Sequence, residues 1–332
     1  MLTQGLQGPY FDELAVGQEF AGAPAVTITP GLAAARQAIT GERLALSLDQ
    51  PLCAQVTGGG PVAPPGLVWD LAIGQSTVVT QHVKANLFYR GLVFRRAPVL
   101  GDTLRTTTKV VGLKQNSGRA GRVPTGLAVL RITTTDQQDR PVLDFCRCAM
   151  LPLRDQAAQT GHADDLDLAA RPAAPPDWAA AVRGWRLAEF ARRATDGPRP
   201  ADLRAGQSFE VAGGDVVSSA PELARLTLNI AAVHHDAAAA GGQRLVYGGH
   251  AIGLALAQAT RTLPSLVSVT GWHGCDHLGP VREGDTLRSV ITVENVEYLP
   301  EGGGLVHLRS LVRADGEPDR EVLDWRFVAV LA

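Results

Sequence analysis

The chain has 332 residues, of which 45% are hydrophobic and 19% charged, with 31 basic side chains against 33 acidic ones. That composition excludes general disorder and supplies enough apolar surface for two domains or one large one. A formal net charge of −2 with no cluster of Lys and Arg argues against binding nucleic acid, and four cysteines are too few for a disulfide framework, so reduced thiols in a cytoplasmic protein are expected.

The amino-terminal MLTQGLQGPYFDEL lacks a basic stretch followed by an apolar run, and no segment reaches the ~18 apolar residues of a membrane helix. LAVGQEF (Leu14–Phe20) reads as an opening turn, and TGGGP (Thr57–Pro61), with no Lys-Ser or Lys-Thr after it, as a loop rather than a phosphate cradle. PPGLVWDLAIGQS (Pro64–Ser76) predicts a helix. After Gly101, GDTLRTTTKVVGL and then GLAVLRITTTD are β-branched and alternating, which predicts paired strands, and PVLDFCR (Pro141–Arg147) predicts a closing strand. The Ala-, Pro- and Asp-rich stretch from Leu153 to Pro200, including RPAAPPDW from Arg171, reads as a linker. Within it Trp178, Val182, Trp185 and Phe190 recur near helical spacing up to Gly197 and Pro198, predicting a connecting helix.

The remaining chain repeats this plan. LRAGQSF (Leu203–Phe209) answers LAVGQEF, GDTLRSVITVENV (Gly284–Val296) answers GDTLRTTTKVVGL, and EVLDWRF (Glu321–Phe327) answers PVLDFCR. LVYGGHAIGLALAQATRTL (Leu245–Leu263) predicts an apolar helix opened by two glycines, the partner of Pro64–Ser76, and EGGG (Glu301–Gly304) a turn between strands. A long hydrophobic helix beside antiparallel strands, twice over, gives an α+β architecture in which each sheet wraps a helix. The expected division is 1–152 and 201–332 as two copies of one unit, joined by a linker over 153–200 that contains a helix.

NIAAVHHD (Asn229–Asp236), the YGGH helix start, GDTL and VLDF together resemble the MaoC-like acyl-CoA dehydratases and R-specific enoyl-CoA hydratases of the hotdog fold. The double length is most similar to the mesaconyl-CoA hydratase (β-methylmalyl-CoA dehydratase) branch. The resemblance implies a double hotdog, a lyase that adds water reversibly to a 2-enoyl-CoA such as mesaconyl-CoA, and no cofactor beyond the CoA of the substrate. Placed on the family frame D-x-N-P-x-H-x-D, His234 falls on the catalytic His, Asp236 on the final acid, and Asn229 where the frame has Asp. The first copy reads ERLALSLD, with Glu42 at the acid position and Ser47 at that of the His, so it is expected to have lost catalysis.

Hydration of an enoyl thioester needs water activated at the β-carbon, a proton at the α-carbon and donors for enolate charge on the thioester oxygen. A His near neutral pKa can serve as base and then acid, which assigns His234; Asn229 cannot accept a proton and is expected to hold the water or orient the imidazole. Backbone N–H groups at the helix start, Gly248 and Gly249, are the expected oxyanion donors, the glycines leaving the thioester's approach unobstructed. His250, Tyr247 and Asp236 complete the expected substrate contacts. For each there is a plainer reading: His234 as a buried structural residue, His235 facing solvent, His250 capping its helix, Tyr247 packing. In WHGCDHLGP (Trp272–Pro280) strand alternation places His273, Cys275 and His277 on one face. Residues along a strand face stand roughly 7 Å apart, stretched for a zinc whose bonds are about 2 Å, so a strand lining the acyl pocket is preferred and no metal is expected. A hotdog thioesterase and a non-catalytic acyl-CoA-binding protein are the competing readings, and a homodimer of the double unit is a further expectation.

Overall fold

The computed structural model describes residues 8–118, 121–172, 174–193, 197–316 and 318–332. Residues 1–7 of the amino terminus, Ala173 in the Pro-rich run and Ala194 at the end of the expected linker helix lie outside these. Eight long strands carry the fold: β1 (Ala85–Phe94), β2 (Thr103–Gln115), β3 (Thr125–Thr135), β4 (Pro141–Pro152), β5 (Leu266–His277), β6 (Thr286–Tyr298), β7 (Gly304–Ala314) and β8 (Arg320–Leu331). They form one antiparallel sheet in the order β2-β3-β4-β1-β5-β8-β7-β6, extended at both ends by short strands at Glu19–Phe20 and Ser208–Glu210. Each half is thus the same four-stranded motif, and the halves fuse where β1 pairs with β5, with Phe88 opposite Asp276 and Val93 opposite Gly271.

Each motif wraps one helix, Pro65–Gln75 in the first half and Gly248–Thr262 in the second. Every residue of the first helix is buried, as expected for a helix apolar on all sides. Each carries a glutamine in its C-terminal part that ties helix to sheet: the Gln75 and Gln258 carboxamides donate to the carbonyls of Leu104 (3.1 Å) and Leu287 (2.9 Å), the leucines of the two GDTL segments. The architecture is a double hotdog, as expected. Its centre is an aromatic cluster in which Trp272 sits 4.9 Å from Trp69, 5.7 Å from Trp325 and 5.7 Å from Tyr89, ring to ring.

Two expectations of local geometry are corrected. β5 carries a bulge: Phe327 pairs with Trp272 and Arg326 with Gly274, so His273 has no partner in the register. The extra residue shifts the alternation. His273 therefore turns to the outer face, stacked on His307 and edge-on to Trp178, while Cys275 enters the core and His277 faces a cavity. In the linker, a 3₁₀ turn at Ala180–Val182 and a helix at Leu187–Arg193 stand in place of one continuous helix. Gly184, at φ 81°, breaks it. Val182, Trp185, Leu187 and Phe190 nevertheless bury into one cluster against the sheet. No helix among the described residues is long and apolar enough to cross a membrane.

Candidate active site

A cavity of about 520 Å³ opens between the halves, lined from the first by Ile73, Thr80, Tyr89 and Arg147 and from the second by Asn229, His234, Tyr247 and His277. Its size suits a small ligand or the acyl end of a larger one. The loop carrying Asn229 and His234 is positioned by the other half of the chain. The first central helix approaches so closely at Gly74 that a Cβ there would lie 1.7 Å from the Thr227 carbonyl oxygen. Beyond that contact Leu228 adopts φ 59°, a left-handed conformation unfavourable for a leucine, and the chain leaves its helix. The Thr77 hydroxyl then accepts from the Ile230 N–H (3.0 Å) and the Gln81 carbonyl from the Ala232 N–H (2.9 Å).

His234 ends a 3₁₀ turn (Ala232–His234), with Nδ1 2.8 Å from the Leu245 carbonyl oxygen. A carbonyl only accepts, so Nδ1 carries the proton and Nε2 keeps a lone pair. Burial pulls the pKa of His234 down to about 4, which leaves the imidazole neutral at physiological pH. The Asn229 Oδ1 accepts from the Ala231 N–H (3.0 Å), leaving the amide NH₂ as the group it can offer to the cavity. His235 is exposed, as its plainer reading had it, and also closes the loop by donating to the Asn229 carbonyl (2.6 Å). No Asp or Glu lines the cavity. Behind its wall Asp70 accepts from the Tyr247 hydroxyl (3.1 Å) and from the Arg36 Nε (2.8 Å). Burial, partly offset by Arg36, raises Asp70 to about 6.

Of the remaining expected residues, Tyr247 and Gly248 line the cavity and the others do not. The reason for the two glycines also differs from the expected one. A Cβ on Gly248 would lie 2.4 Å from the His277 ring, and one on Gly249 would lie 2.3 Å from Asp70 Oδ1 and 2.4 Å from the Tyr247 ring. The missing side chains make room for protein groups rather than for a thioester. The N–H groups of both glycines are still without a backbone partner among the described residues, as oxyanion donors at a helix start must be. His250 is fully buried in the helix, off the cavity, with no protein partner on either ring nitrogen. Asp236 is exposed and caps its own turn by accepting from the Ala238 N–H (2.9 Å).

His277 lies on the strand expected to line the acyl pocket and does line the cavity, whereas Tyr89 and Arg147 escaped the sequence reading of the site. The repeat held a signal for His277 and Arg147. Aligning the GDTL segments sets His277 against Phe94, and aligning the VLD segments sets Arg147 against the buried Phe327, so each polar residue occupies a position that is apolar in the other copy. The His277 Nε2 is buried without a partner, and burial pulls its pKa down to about 4. In the first copy the Glu42 carboxylate accepts from Arg36, and the Ser47 hydroxyl is buried without a partner.

No family model matches the chain. It is 28% identical over 317 residues to a mesaconyl-CoA hydratase of Cereibacter sphaeroides, an alignment covering 93% of this chain and 90% of that protein. Among solved structures it is similar to a conserved hypothetical protein from Mycobacterium tuberculosis with a double hotdog fold, at 54% identity and a TM-score of 0.91, covering 98% of this chain and 99% of the other. It is also similar to a protein assigned as a MaoC-domain dehydratase from Chloroflexus aurantiacus, at 25% identity and a TM-score of 0.85, over 99% of both chains. Repeat architecture, active-site frame and whole-length similarity agree: the chain is a double hotdog protein similar to the MaoC-like dehydratases.

Proposed function

We propose that the protein adds water reversibly to the double bond of a 2-enoyl-CoA, with mesaconyl-CoA, the substrate in the name of the Cereibacter relative, as the first candidate. The observation that carries this reading is the anchored tautomer of His234, which leaves a basic Nε2 beside a cavity without carboxylates. Nε2 takes a proton from water as the oxygen attacks the β-carbon, and the imidazolium returns that proton to the α-carbon, so one residue serves both steps. The Asn229 amide donates to the water, and the N–H of Gly248, the one of the two glycines that lines the cavity, stabilises the enolate oxygen. The reaction calls for no cofactor beyond the CoA of the substrate. Lys84 and Arg282, which also line the cavity, would meet the CoA phosphates. The first copy completes the cavity without a catalytic pair of its own, a role supported by the engagement of Glu42 with Arg36. A cytoplasmic location, supported by four free buried thiols, and a homodimer of the double unit are part of this reading.

The test is His234→Ala assayed by loss of enoyl absorbance on crotonyl-CoA and mesaconyl-CoA. The rate is expected to fall by about 10³-fold, and retention of most activity rejects the assignment. Release of free thiol by the wild-type chain would identify a thioesterase instead. The amide at Asn229 favours one second reading, a non-catalytic acyl-CoA-binding protein, which calorimetric binding without turnover on any enoyl-CoA would establish.

A further inference from the structure

Arg147 lies on β4, its side chain turned inward, opposite to Cys146 and Cys148, and is 3% exposed. Its partners are all neutral. Nε donates to the Ser76 hydroxyl (3.0 Å), Nη2 to the Ser76 carbonyl (3.1 Å) and the Thr80 hydroxyl (2.8 Å), and Nη1 reaches the Asn86 side-chain oxygen only at 3.5 Å. By contrast the buried Arg36 pairs with Asp70 and Glu42, and the partly exposed Arg96 with Asp102 and Asp136. A guanidinium does not deprotonate in a protein, and burying its charge without an anion is costly. Of the five guanidinium donors two are on Nη1, and at least one of these has no acceptor among the described residues. Beside it the Tyr89 hydroxyl makes no hydrogen bond, and the Thr80 hydroxyl, which accepts from Arg147, donates to nothing among the described residues. These donors line the same cavity as His234 and share Tyr247 as a neighbour, its ring 5.8 Å from that of His234 and its hydroxyl within the electrostatic reach of Arg147.

We propose that Arg147, with Tyr89 and Thr80, is the receptor for a carboxylate on the acyl group, so that the cavity selects dicarboxylic acyl thioesters over unsubstituted ones. The proposal takes its thioester from the hydratase reading above, but the cation, the donors and the lack of any carboxylate in the lining point to an anionic acyl end independently of the reaction. Attached to the β-carbon that water attacks, such a carboxylate would also fix the double bond in register with His234.

The test is binding rather than turnover. Succinyl-CoA and butyryl-CoA differ chiefly in a carboxylate where the other has a methyl group, and calorimetry on the full chain measures both. The wild-type protein is expected to prefer succinyl-CoA by about 10- to 100-fold, the range of hydrogen bonds to a charged group. Arg147→Gln should erase that preference while leaving butyryl-CoA binding within about 3-fold, and Arg147→Lys should keep part of it. A wild-type chain that binds butyryl-CoA as tightly as succinyl-CoA overturns the proposal whether or not the variants fold. So does an Arg147→Gln chain that keeps the preference, or one that loses affinity for both thioesters equally, the mark of a purely structural arginine. A succinyl-CoA preference in a protein that hydrates no enoyl-CoA would leave the carboxylate site standing and the hydratase reading rejected.

Discussion

At residue 229 an amide stands where the family frame has a carboxylate, and the surrounding contacts determine what that exchange does. The Asn229 oxygen is already engaged by the Ala231 N–H, so only a donor is offered to the cavity, and His234 is left as its sole anchored base. With His234 lowered to about 4, the wild-type rate should be level from pH 8 down to about 5 and fall only as the imidazole protonates. Asn229→Asp would place a negative charge beside the ring and favour imidazolium. The acid limb of the kcat/KM profile is then expected to rise by about 1 pH unit or more, and an unmoved limb would show that His234 and residue 229 do not share a charge environment. The frame itself was legible in the sequence because it spans eight residues, and local spacing survives folding. The purpose of Gly248 was not legible, because the His277 ring that presses on it arrives from a different strand.

Between elements, the decisive contact is the first central helix against the loop of the second half. Gly74 permits an approach that no side chain would, with the Thr227 carbonyl 1.7 Å from where a Cβ would stand. Gly74→Ala must push the helix and loop apart. It should destabilise the fold by about 1–3 kcal/mol and also lower kcat by about 10²-fold, since displacements near 1 Å have that effect on a positioned catalytic group. Thermal melting and steady-state kinetics on the same preparation check both, and a normal kcat would mean that this contact does not place His234. Helices, hairpins and the repeat were readable from hydrophobic period and recurring GDTL and VLD segments. The bulge at His273 and the break at Gly184 were not, because a strand's register depends on its partner and the linker's path on the sheet it covers.

For the whole molecule, the electrostatic signature is a set of buried histidines. Burial lowers His234, His250 and His277 to about 4 each, against about 6.5 in an unfolded chain. The unfolded chain therefore binds more protons between about pH 6.5 and 4, and stability falls with pH across that window by up to about 1.4 kcal/mol per pH unit for each group. Asp70 opposes this, because its pKa near 6 is raised and its contribution grows as pH falls. Three imidazoles outweigh one carboxyl, so urea midpoints should drop between pH 7 and 5. His250→Leu, which copies Leu67 at the matching position of the first helix, should raise stability at pH 5 and flatten the slope with kcat unchanged; loss of activity instead would return His250 to the site. The sequence by itself determined the α+β double hotdog, its two copies and the His234 frame, because periodicity, repeats and short motifs are properties of neighbouring residues. Only the tertiary structure decided that Arg147 and Tyr89 of one half face His234 of the other. A cavity between two halves is made by residues far apart in the chain, and burial, which turns an ordinary arginine into an uncompensated charge, exists only once they have met.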